Sequence, residues 1–473
     1  MLNQIATHKQ NVLLRNVCIL DVRAGALTAQ TNVLTRKGMI VDTDARDTAP
    51  DCDVIECDGL TLSPGLIDCH CHILSPFIAE QKGIPGAWAL RQIHRNFAAT
   101  LACGIVCVRD MLSPIKIMNH YRRAIGAGHI VGPRILAAGP IFSCRGGYPE
   151  FIEPLPAIVA LFTGQPKLHI ETPRQAAAAI RDLHTQGINL VKVAYSALNV
   201  WMEYDKPLPT ISTEVFDAIC ETAHALGLKV GVHHFCTDDL TEILRHDVDS
   251  IEHLPFDRAF TPDELELFRQ RGATVVPTLT MTDCAVRFEE KAEFLKSAQA
   301  ADMFDPYVLE YLKRLAATWL DFSDPEYLKS FGASRGMRST YNPTFRNATL
   351  LHEAGVKFCA GTDMGAVTSF PGETADEVKR LHHIGLSRLE AVRAATLDAA
   401  ELLGIGDRLG AIEPGMCADV IMIKGNPLED IDAISRVRMI GKGGRWYKTK
   451  YPELPDFWPG FGLIMDSGGD KGQ

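Results

Sequence analysis

The chain has 473 residues, of which 46% are hydrophobic and 22% are charged, as in a globular protein with a large domain and a smaller one. Its formal net charge is -10 and both signs are interspersed, which excludes the basic surface of a nucleic-acid-binding protein. The N-terminus lacks a secretion signal and no apolar run approaches the roughly 18 residues that cross a bilayer, so we expect a cytoplasmic protein without membrane partners.

Both ends of the chain contain short segments that are typical of β-strands. Near the N-terminus these are "VLLRNVCIL" and "DVIECDG", and near the C-terminus they are "GAIEPGMCADVIMIKGNPL" and "VRMIGKGGRWYK". We predict that residues 1–60 and 408–448 pair with each other and form one small β-sandwich domain.

The stretch "GLIDCHCH" follows an apolar run and a Ser-Pro-Gly turn, which predicts a buried strand. Successive side chains of a strand point to opposite faces, so His70 and His72 share one face while Cys69 and Cys71 share the other. A single metal ion can therefore bind one of these pairs. We expect the histidines to face the metal and the cysteines to pack as small buried hydrophobic residues.

Residues 61–407 alternate short apolar strands with helical patterns, which is typical of β/α units around a parallel sheet. One predicted helix follows Thr172 and Pro173, and another follows Ser212 and ends at Gly227. Eight strands predict a (β/α)8 TIM barrel, interrupted by an aromatic-rich helical insertion over residues 281–345. The strand candidates are "LIDCHCHI", "IVCVRDM", "PRILAAGPIF", "NLVKVAYS", "LKVGVHHF", "DSIEHL", "ATVVPTLT" and "VKFCAGTDMG".

Six metal-binding or ionisable residues lie in these strands or at their ends. The carboxyl ends of parallel strands meet at one mouth of a barrel, so we expect the six side chains to converge. Histidine nitrogens and carboxylate oxygens are ligands that zinc favours, and an unpaired lysine inside a barrel is costly. The six residues are His70, His72, Lys192, His233, His253 and Asp363.

The motifs "GLIDCHCH", "VKVAY", "VGVHH", "SIEH" and "GTDMG" resemble, in the same order, the ligand strands of the metal-dependent amidohydrolase superfamily. The resemblance runs from about residue 12 to 448 and includes "LGAIEPGMCADVIMI", which is similar to a strand that returns to the family's β-domain. "GIVCVRDM" and "PRILAAGPIF" further resemble the branch that holds prolidase-like dipeptidases, imidazolonepropionases, and phenylurea and thiocarbamate hydrolases.

This resemblance implies two divalent metal ions, which we expect to be zinc. His70, His72 and Asp363 would hold the more buried ion, and His233 and His253 the more exposed one. Lys192 would be carbamylated and would bridge the two ions, since an ammonium group cannot ligate a cation. The implied reaction is hydrolysis of an amide-like C–N bond, with Asp363 carrying a proton to the leaving nitrogen.

The substrate is less constrained by the sequence. The loop "SCRGGYPEFIEPLPAIVALFTG" differs from the Gly/His-containing loop of the prolidase-like relatives, and residues 151–162 are mostly apolar. Arg145 or Tyr148 could bind a carboxylate, and Tyr195 could hydrogen-bond a substrate carbonyl. His234 is a further substrate-binding candidate, although a regular strand would turn it away from the face of His233.

We therefore predict hydrolysis of a small, mostly apolar amide, urea or carbamate, such as a phenylurea or a thiocarbamate. One alternative is a prolidase-like dipeptidase that cleaves Xaa-Pro or Xaa-Arg. A second alternative is a non-catalytic scaffold with a retained barrel, although none of the six expected ligands is missing. The insertion is expected at the barrel mouth, as a lid or as a contact between subunits of a homo-oligomer.

Overall fold

The structure is a computed structural model that describes residues 1–5, 10–46, 51–77, 86–152, 154–198, 207–318, 333–366 and 368–451. Its strands are β1 (Leu2–Ile5), β2 (Asn11–Asp21), β3 (Ala26–Leu27), β4 (Thr31–Arg36), β5 (Met39–Asp42), β6 (Asp53–Glu56), β7 (Leu60–Pro64), β8 (Leu66–Cys71), β9 (Ile105–Asp110), β10 (Arg134–Ala137), β11 (Ile141–Ser143), β12 (Lys167–His169), β13 (Leu190–Ala194), β14 (Lys229–His233), β15 (Ser250–Glu252), β16 (Thr274–Val276), β17 (Val420–Lys424), β18 (Val437–Lys442) and β19 (Arg445–Thr449).

The α-helices are α1 (Ala87–Ala102), α2 (Ile115–Gly126), α3 (Ala157–Thr163), α4 (Pro173–Thr185), α5 (Thr213–Ala225), α6 (Thr237–Ile243), α7 (Pro262–Arg271), α8 (Leu279–Val286), α9 (Ala298–Met303), α10 (Pro306–Thr318), α11 (Ala333–Glu353), α12 (Thr374–His383), α13 (Arg388–Ala394) and α14 (Leu397–Leu402). Short 3-10 helices span Phe288–Ala292, Phe294–Lys296 and Ile431–Ser435.

Two parallel sheets form the centre of the molecule. One has the strand order β10-β9-β8 and the other has the order β12-β11-β13-β14-β15-β16. Isolated parallel bridges join Cys71 to Met364 and Val275 to Phe358, so the segment at 358–364 lies between β8 and β16. With helices following the strands, this is a TIM-barrel-like α/β domain.

Two of the predicted barrel strands are irregular. The candidate at 133–142 is divided into β10, which pairs with β9, and β11, which pairs with β12 and β13. Gly139 interrupts it with a φ of 76°. The last candidate, 356–365, makes only isolated bridges, and its backbone turns through positive φ at Asp363 (55°) and Gly365 (104°).

Helix boundaries follow the local signals in the sequence. Thr172 caps α4 by accepting a hydrogen bond from the Gln175 backbone N–H, and Pro173 occupies the first turn. Thr261 and Glu264 form the same reciprocal box at the start of α7, which ends at Gly272 in a left-handed conformation. These contacts satisfy the N–H and C=O groups that a helix leaves unpaired at its ends.

The two chain ends pair within one mixed sheet, whose main strand order is β1-β19-β18-β17-β7-β2-β4-β5. The antiparallel pairing of β17 with β7 joins the C-terminal strands to the N-terminal ones. Trp446 of β19 is among the largest fully buried side chains. The sandwich form of this unit and the domain limits 1–60 with 408–448 and 61–407 remain predictions.

The predicted insertion is helical where the structure describes it, and it packs against α1. Arg91 Nε lies 2.6 Å from Asp305 Oδ2, and Gln92 Nε2 donates to the Met303 carbonyl at 3.2 Å. Phe304 is buried against Phe370. Four aromatic residues of the predicted insertion lie outside the described residues: Trp319, Phe322, Tyr327 and Phe331. Its role at the barrel mouth remains a prediction.

No helix among the described residues combines the length and the apolar character that a membrane crossing requires.

Candidate metal centre

His70, His72 and Asp363 form a compact group whose ligand atoms all lie within 4.8 Å of one another. Asp363 Oδ1 lies 3.0 Å from His72 Nε2 and 3.5 Å from His70 Nε2. The backbone assembles the group, because the Asp363 N–H donates to the His70 carbonyl and the His72 N–H donates to the Met364 carbonyl. Two nitrogens and one carboxylate at this spacing can hold a divalent metal ion.

A buried carboxylate beneath the group ties its two segments together. Asp68 accepts a hydrogen bond from the His70 N–H at 3.0 Å and another from Thr362 Oγ1 at 2.6 Å. Thr374 Oγ1 of α12 donates to the same carboxylate at 2.9 Å. Burial raises the pKa of Asp68 to about 6 despite these hydrogen bonds. Asp68 therefore fixes β8 relative to the strand segment that carries Asp363.

The rear of His70 contacts a buried ion pair. His70 Nδ1 lies 2.7 Å from Glu252 Oε2, and Arg109 Nη2 donates to both Glu252 oxygens at 2.8 and 2.9 Å. Ser250 Oγ also donates to Glu252, at 2.6 Å. With its Nδ1–H donated to Glu252, His70 presents Nε2 to a metal, and such carboxylate partners orient metal-binding histidines.

A second group of buried side chains lies beside the first. The ring centroid of His253 is 4.7 Å from that of His70 and 4.6 Å from that of His233. His253 Nδ1 contacts Thr278 Oγ1 at 2.7 Å. Burial, with the nearby charges of the other site groups, lowers the pKa values of His233 and His253 well below the usual range. Neutral imidazole rings of this kind can accept a cation.

Lys192 is 2% exposed, and its Nζ has no hydrogen-bond partner among the described residues. His233 Nε2 likewise lacks a partner within the described part of the chain. Burial lowers the pKa of Lys192 to about 8, although the charge of Glu252 opposes this change. Buried polar atoms without partners are rare, so His233 Nε2 is suited to bind an exogenous group such as a metal ion, and Lys192 Nζ, which cannot ligate a cation as an ammonium, is suited to carry an added group. His72 differs, because the hydrogen bond and charge of Asp363 outweigh burial and raise its pKa.

An apolar wall adjoins His233. The Tyr148 ring stacks on the His233 ring with centroids 4.3 Å apart and an angle of 3° between the planes. Phe235 contacts the same imidazole edge-on, also at 4.3 Å. These rings belong to a buried hydrophobic cluster that comprises Ile141, Tyr148, Ala194, Phe235 and Phe256, with Leu112 and Leu208 packed against it.

Three predicted substrate-binding residues are not members of this cluster. The Tyr195 ring stacks on Phe216 of α5 at 5.5 Å, because a position three residues after the inward-facing Lys192 points to the opposite face. Arg145 is exposed and pairs with Glu171 at 3.2 Å. His234 is fully buried, and its Nδ1 lies 3.3 Å from the Cys236 carbonyl. Among these candidates, Tyr148 stacks on the imidazole of a predicted metal ligand, and the Tyr195 backbone N–H donates to the His233 carbonyl at 2.9 Å.

A protein-family model described as the amidohydrolase family matches residues 61–446. The chain belongs to the amidohydrolase family. This amidohydrolase is therefore a hydrolase that acts on C–N bonds, in a family whose substrates are small molecules and whose members generally depend on metal ions.

The amidohydrolase is 27% identical over 357 residues to an uncharacterized protein of Mycobacterium tuberculosis, covering 75% of this chain and 78% of that one. It is 25% identical over 415 residues to the ochratoxinase of Aspergillus niger, covering 82% and 75%. A prolidase complexed with N-methylphosphonate-L-proline superimposes with a TM-score of 0.73 at 25% identity, covering 93% and 99%. Phenylurea hydrolase B has the same fold, with a TM-score of 0.67 at 19% identity and coverage of 93% and 98%. These similarities confirm the prolidase-like branch.

The residues that surround the ligands of this amidohydrolase were not predicted from the sequence. Arg109 and Glu252 lie in short apolar strands, and both are buried, with exposures of 2% and 0%. A charged residue within a buried parallel strand is costly unless it is paired. The charged residues within these apolar runs were therefore the feature of the sequence that could have indicated a buried ion pair. Thr278 contacts His253 and has a φ of 50°. No pattern in the sequence indicates this contact.

Proposed function

We propose that this amidohydrolase cleaves the C–N bond of a small, mostly apolar amide, urea or carbamate, such as a phenylurea or a thiocarbamate. The observation that supports this proposal is the His70/His72/Asp363 group, with ligand atoms within 4.8 Å of one another, close to the apolar wall that includes Tyr148 and Phe235. The donors supply the chemistry of a hydrolytic metal site, and the wall suits an apolar substituent.

The proposed site holds two divalent ions, with zinc as the expected metal. His70, His72 and Asp363 would hold one ion, and His233 and His253 would hold the other. Lys192, as a carbamate, would supply anionic oxygens that offset the repulsion of two cations. Bound ions of this type polarise a carbonyl and activate water for attack.

The side chains of the protein orient the ligands and transfer the proton. Glu252 accepts a hydrogen bond from His70 Nδ1 and so keeps the Nε2 atom of His70 directed towards Asp363. The distance from His70 Nε2 to Asp363 Oδ1 is 3.5 Å. Asp363 Oδ1 would take the proton of the attacking water and deliver it to the leaving nitrogen. The Tyr148 and Phe235 rings exclude water from one side of His233, which strengthens electrostatic interactions there.

A dipeptidase of the Xaa-Pro or Xaa-Arg type is the second candidate, and the 25% identity to the prolidase structure favours it. A dipeptide requires a cationic partner for its carboxylate. Arg145 or Tyr148 was expected to bind a carboxylate; the Tyr148 ring stacks on His233, whereas Arg145, the cationic one of the two, is 77% exposed and paired with Glu171. This placement favours the neutral substrate. The scaffold alternative is disfavoured by the presence of all six expected ligand residues.

The deciding experiment is a screen of zinc-loaded protein against phenylureas, thiocarbamates, anilides, and Xaa-Pro and Xaa-Arg dipeptides. We expect turnover of at least one neutral class and little turnover of dipeptides. Cleavage of dipeptides alone would favour the second candidate, and absence of hydrolysis in metal-replete protein would favour a scaffold. Gel filtration with light scattering tests the expected homo-oligomer, and fractionation of the source cells tests the cytoplasmic location.

A further inference from the structure

The turn that carries Tyr148 is held by side chains at three consecutive backbone carbonyls. Lys167 Nζ donates to the Gly147 carbonyl at 2.8 Å and to the Pro149 carbonyl at 3.0 Å. Ser143 Oγ donates to the Tyr148 carbonyl between them, at 2.7 Å. The side chains of β11 and β12 thus fix the backbone on both sides of Tyr148.

This turn is also tightly packed. A Cβ at Gly147 would lie 2.7 Å from Cys144 Sγ and 2.8 Å from the Pro209 carbonyl oxygen. Lys167 is 2% exposed, so its side chain lies in the interior and not in solvent. A buried lysine is costly unless its N–H groups are satisfied, and the two carbonyls provide acceptors.

The sheet register relates Lys167 to the candidate metal centre. Ile141 of β11 is the register partner of Lys167 on one side and of Lys192 on the other. Residues in register on neighbouring strands face the same side of a sheet, and two strand spacings amount to about 10 Å. Lys167 therefore lies in the same cross-strand row as Lys192, with the Tyr148 turn above it.

We propose that Lys167, together with Ser143, is a positioning residue that holds the Tyr148 ring flat against His233 and thereby orients this histidine for metal binding. The inference rests on the proposed function, since it takes His233 as a metal ligand. The described contacts supply each step: Lys167 to the turn, the turn to Tyr148, and the Tyr148 ring to His233 at 4.3 Å. Without these hydrogen bonds the turn would relax and the His233 ring would rotate more freely.

The test is a zinc titration of metal-free protein against a chromogenic chelator, which needs no substrate. Lys167→Met removes both hydrogen bonds at nearly constant volume. We expect it to weaken one zinc equivalent by about 10- to 100-fold, as is typical when an outer partner of a ligand is lost, and to leave the other equivalent unchanged. Lys116→Met is the matched control, because Lys116 Nζ donates to the Leu161 carbonyl at 2.7 Å but does not contact the Tyr148 turn.

A double-mutant cycle separates positioning from general stabilisation. Tyr148→Phe keeps the stacked ring and should bind zinc as the wild type does, whereas Tyr148→Ala should lose affinity for the same single equivalent. If Lys167 acts through Tyr148, adding Lys167→Met to Tyr148→Ala should cause no further loss. Equal, additive losses would overturn the proposal and assign Lys167 a merely structural role.

Wild-type affinity for both zinc equivalents in folded Lys167→Met would also overturn it. Should Lys167→Met not fold, Ser143→Ala removes the hydrogen bond to the Tyr148 carbonyl, and unchanged zinc binding in that variant would count against the proposal. The outcomes also distinguish the two hypotheses. If the wild type binds no zinc, the proposed function fails as well. If it binds two equivalents and the variants match it, the positioning role alone fails.

Discussion

His70 Nδ1 and Glu252 Oε2 lie 2.7 Å apart although 182 positions separate the two residues in the chain. Arg109 completes the contact, and all three side chains are buried. Because β8 and β9 belong to one sheet and β15 to the other, these contacts cross the interior of the molecule. A buried ion pair thus orients the ring of a candidate metal ligand.

Glu252→Gln should lower zinc affinity by about 10- to 100-fold, because it replaces one carboxylate oxygen of the group that orients His70. Chelator competition measures the affinity, and thermal unfolding of metal-free protein verifies that the variant is folded. Glu264→Gln is the control, since Glu264 pairs with the exposed Arg258 at 2.7 Å. The same loss of affinity in both variants would show that the effect does not arise at His70.

Replacing both His70 and His72 by alanine should remove at least one equivalent of bound metal, because these residues supply two of the three ligands in the compact group. Elemental analysis after dialysis against zinc measures the content per chain. His224→Ala is a suitable control, since this histidine pairs with Asp249 at 2.9 Å on the outer side. Full metal content in the folded double variant would contradict the assignment.

Asp363→Asn should lower kcat by at least about 100-fold while KM stays within a few-fold, because general base catalysis contributes about 100- to 10,000-fold. Nitrogen leaving groups need a proton, whereas activated aryl esters need it much less. The variant should therefore retain more activity on an activated ester than on an anilide or urea. Equal losses on both substrate types, at unchanged metal content, would refute the proton-carrier role.

Lys192 should react with carbon dioxide at lower pH than an ordinary lysine. Only the neutral amine forms a carbamate, and burial lowers the pKa of Lys192 to about 8. Below that pH the neutral fraction rises tenfold per pH unit, and above it the fraction levels off. At a constant concentration of dissolved carbon dioxide, the rate at which carbon dioxide and zinc restore activity to metal-free protein should therefore rise up to about pH 8 and then plateau.

A plateau only near pH 10 or above would contradict this environment for Lys192. Lys192→Ala should be inactive without additives, and short carboxylic acids should restore part of the activity by supplying the missing bridge. Lys116→Met serves as the control with an exposed lysine removed. A metal-replete crystal structure with one ion and an unmodified Lys192 would refute the bridging role.

Gly361→Ala should destabilise the protein by about 1–3 kcal/mol, because overpacking a filled interior forces neighbouring atoms apart. A Cβ there would lie 2.4 Å from Val276 Cγ1 and 2.8 Å from His70 Cβ. Urea unfolding measures the free energy, and zinc affinity should fall together with it. Gly126→Ala is the matched control, since a Cβ at that helical position meets no atom within 4 Å. Equal stability of the two variants would contradict this packing.

Strand periodicity and strand-end placement were sufficient to predict the convergence of His70, His72 and Asp363. Alternation placed both histidines on one face of β8, and the structure brings Asp363 to them. The same rule, applied three residues beyond Lys192, predicts that Tyr195 faces outward. The functional interpretation of Tyr195 disregarded this rule, and the ring in fact lies on Phe216.

Other features depend on contacts that no local pattern encodes. The pairing of Arg109 with Glu252 crosses between two sheets, so neither strand order nor residue spacing predicts it. Likewise, Tyr148 reaches His233 because Lys167 and Ser143 hold its turn, and the sequence around "RGGYPEF" contains no signal for either bond. Such contacts form only when distant segments pack together.

The pairing of β1 with β19 also determines when the molecule can be completed during synthesis. The Leu2 and Thr449 backbones are register partners, so β1 can pair only after residue 449 has left the ribosome. Until β17 emerges, β7 lacks its antiparallel partner and exposes an unpaired edge directly before the strand that carries His70. Nascent chains that stall before residue 420 would therefore be the species that chaperones must shield from aggregation.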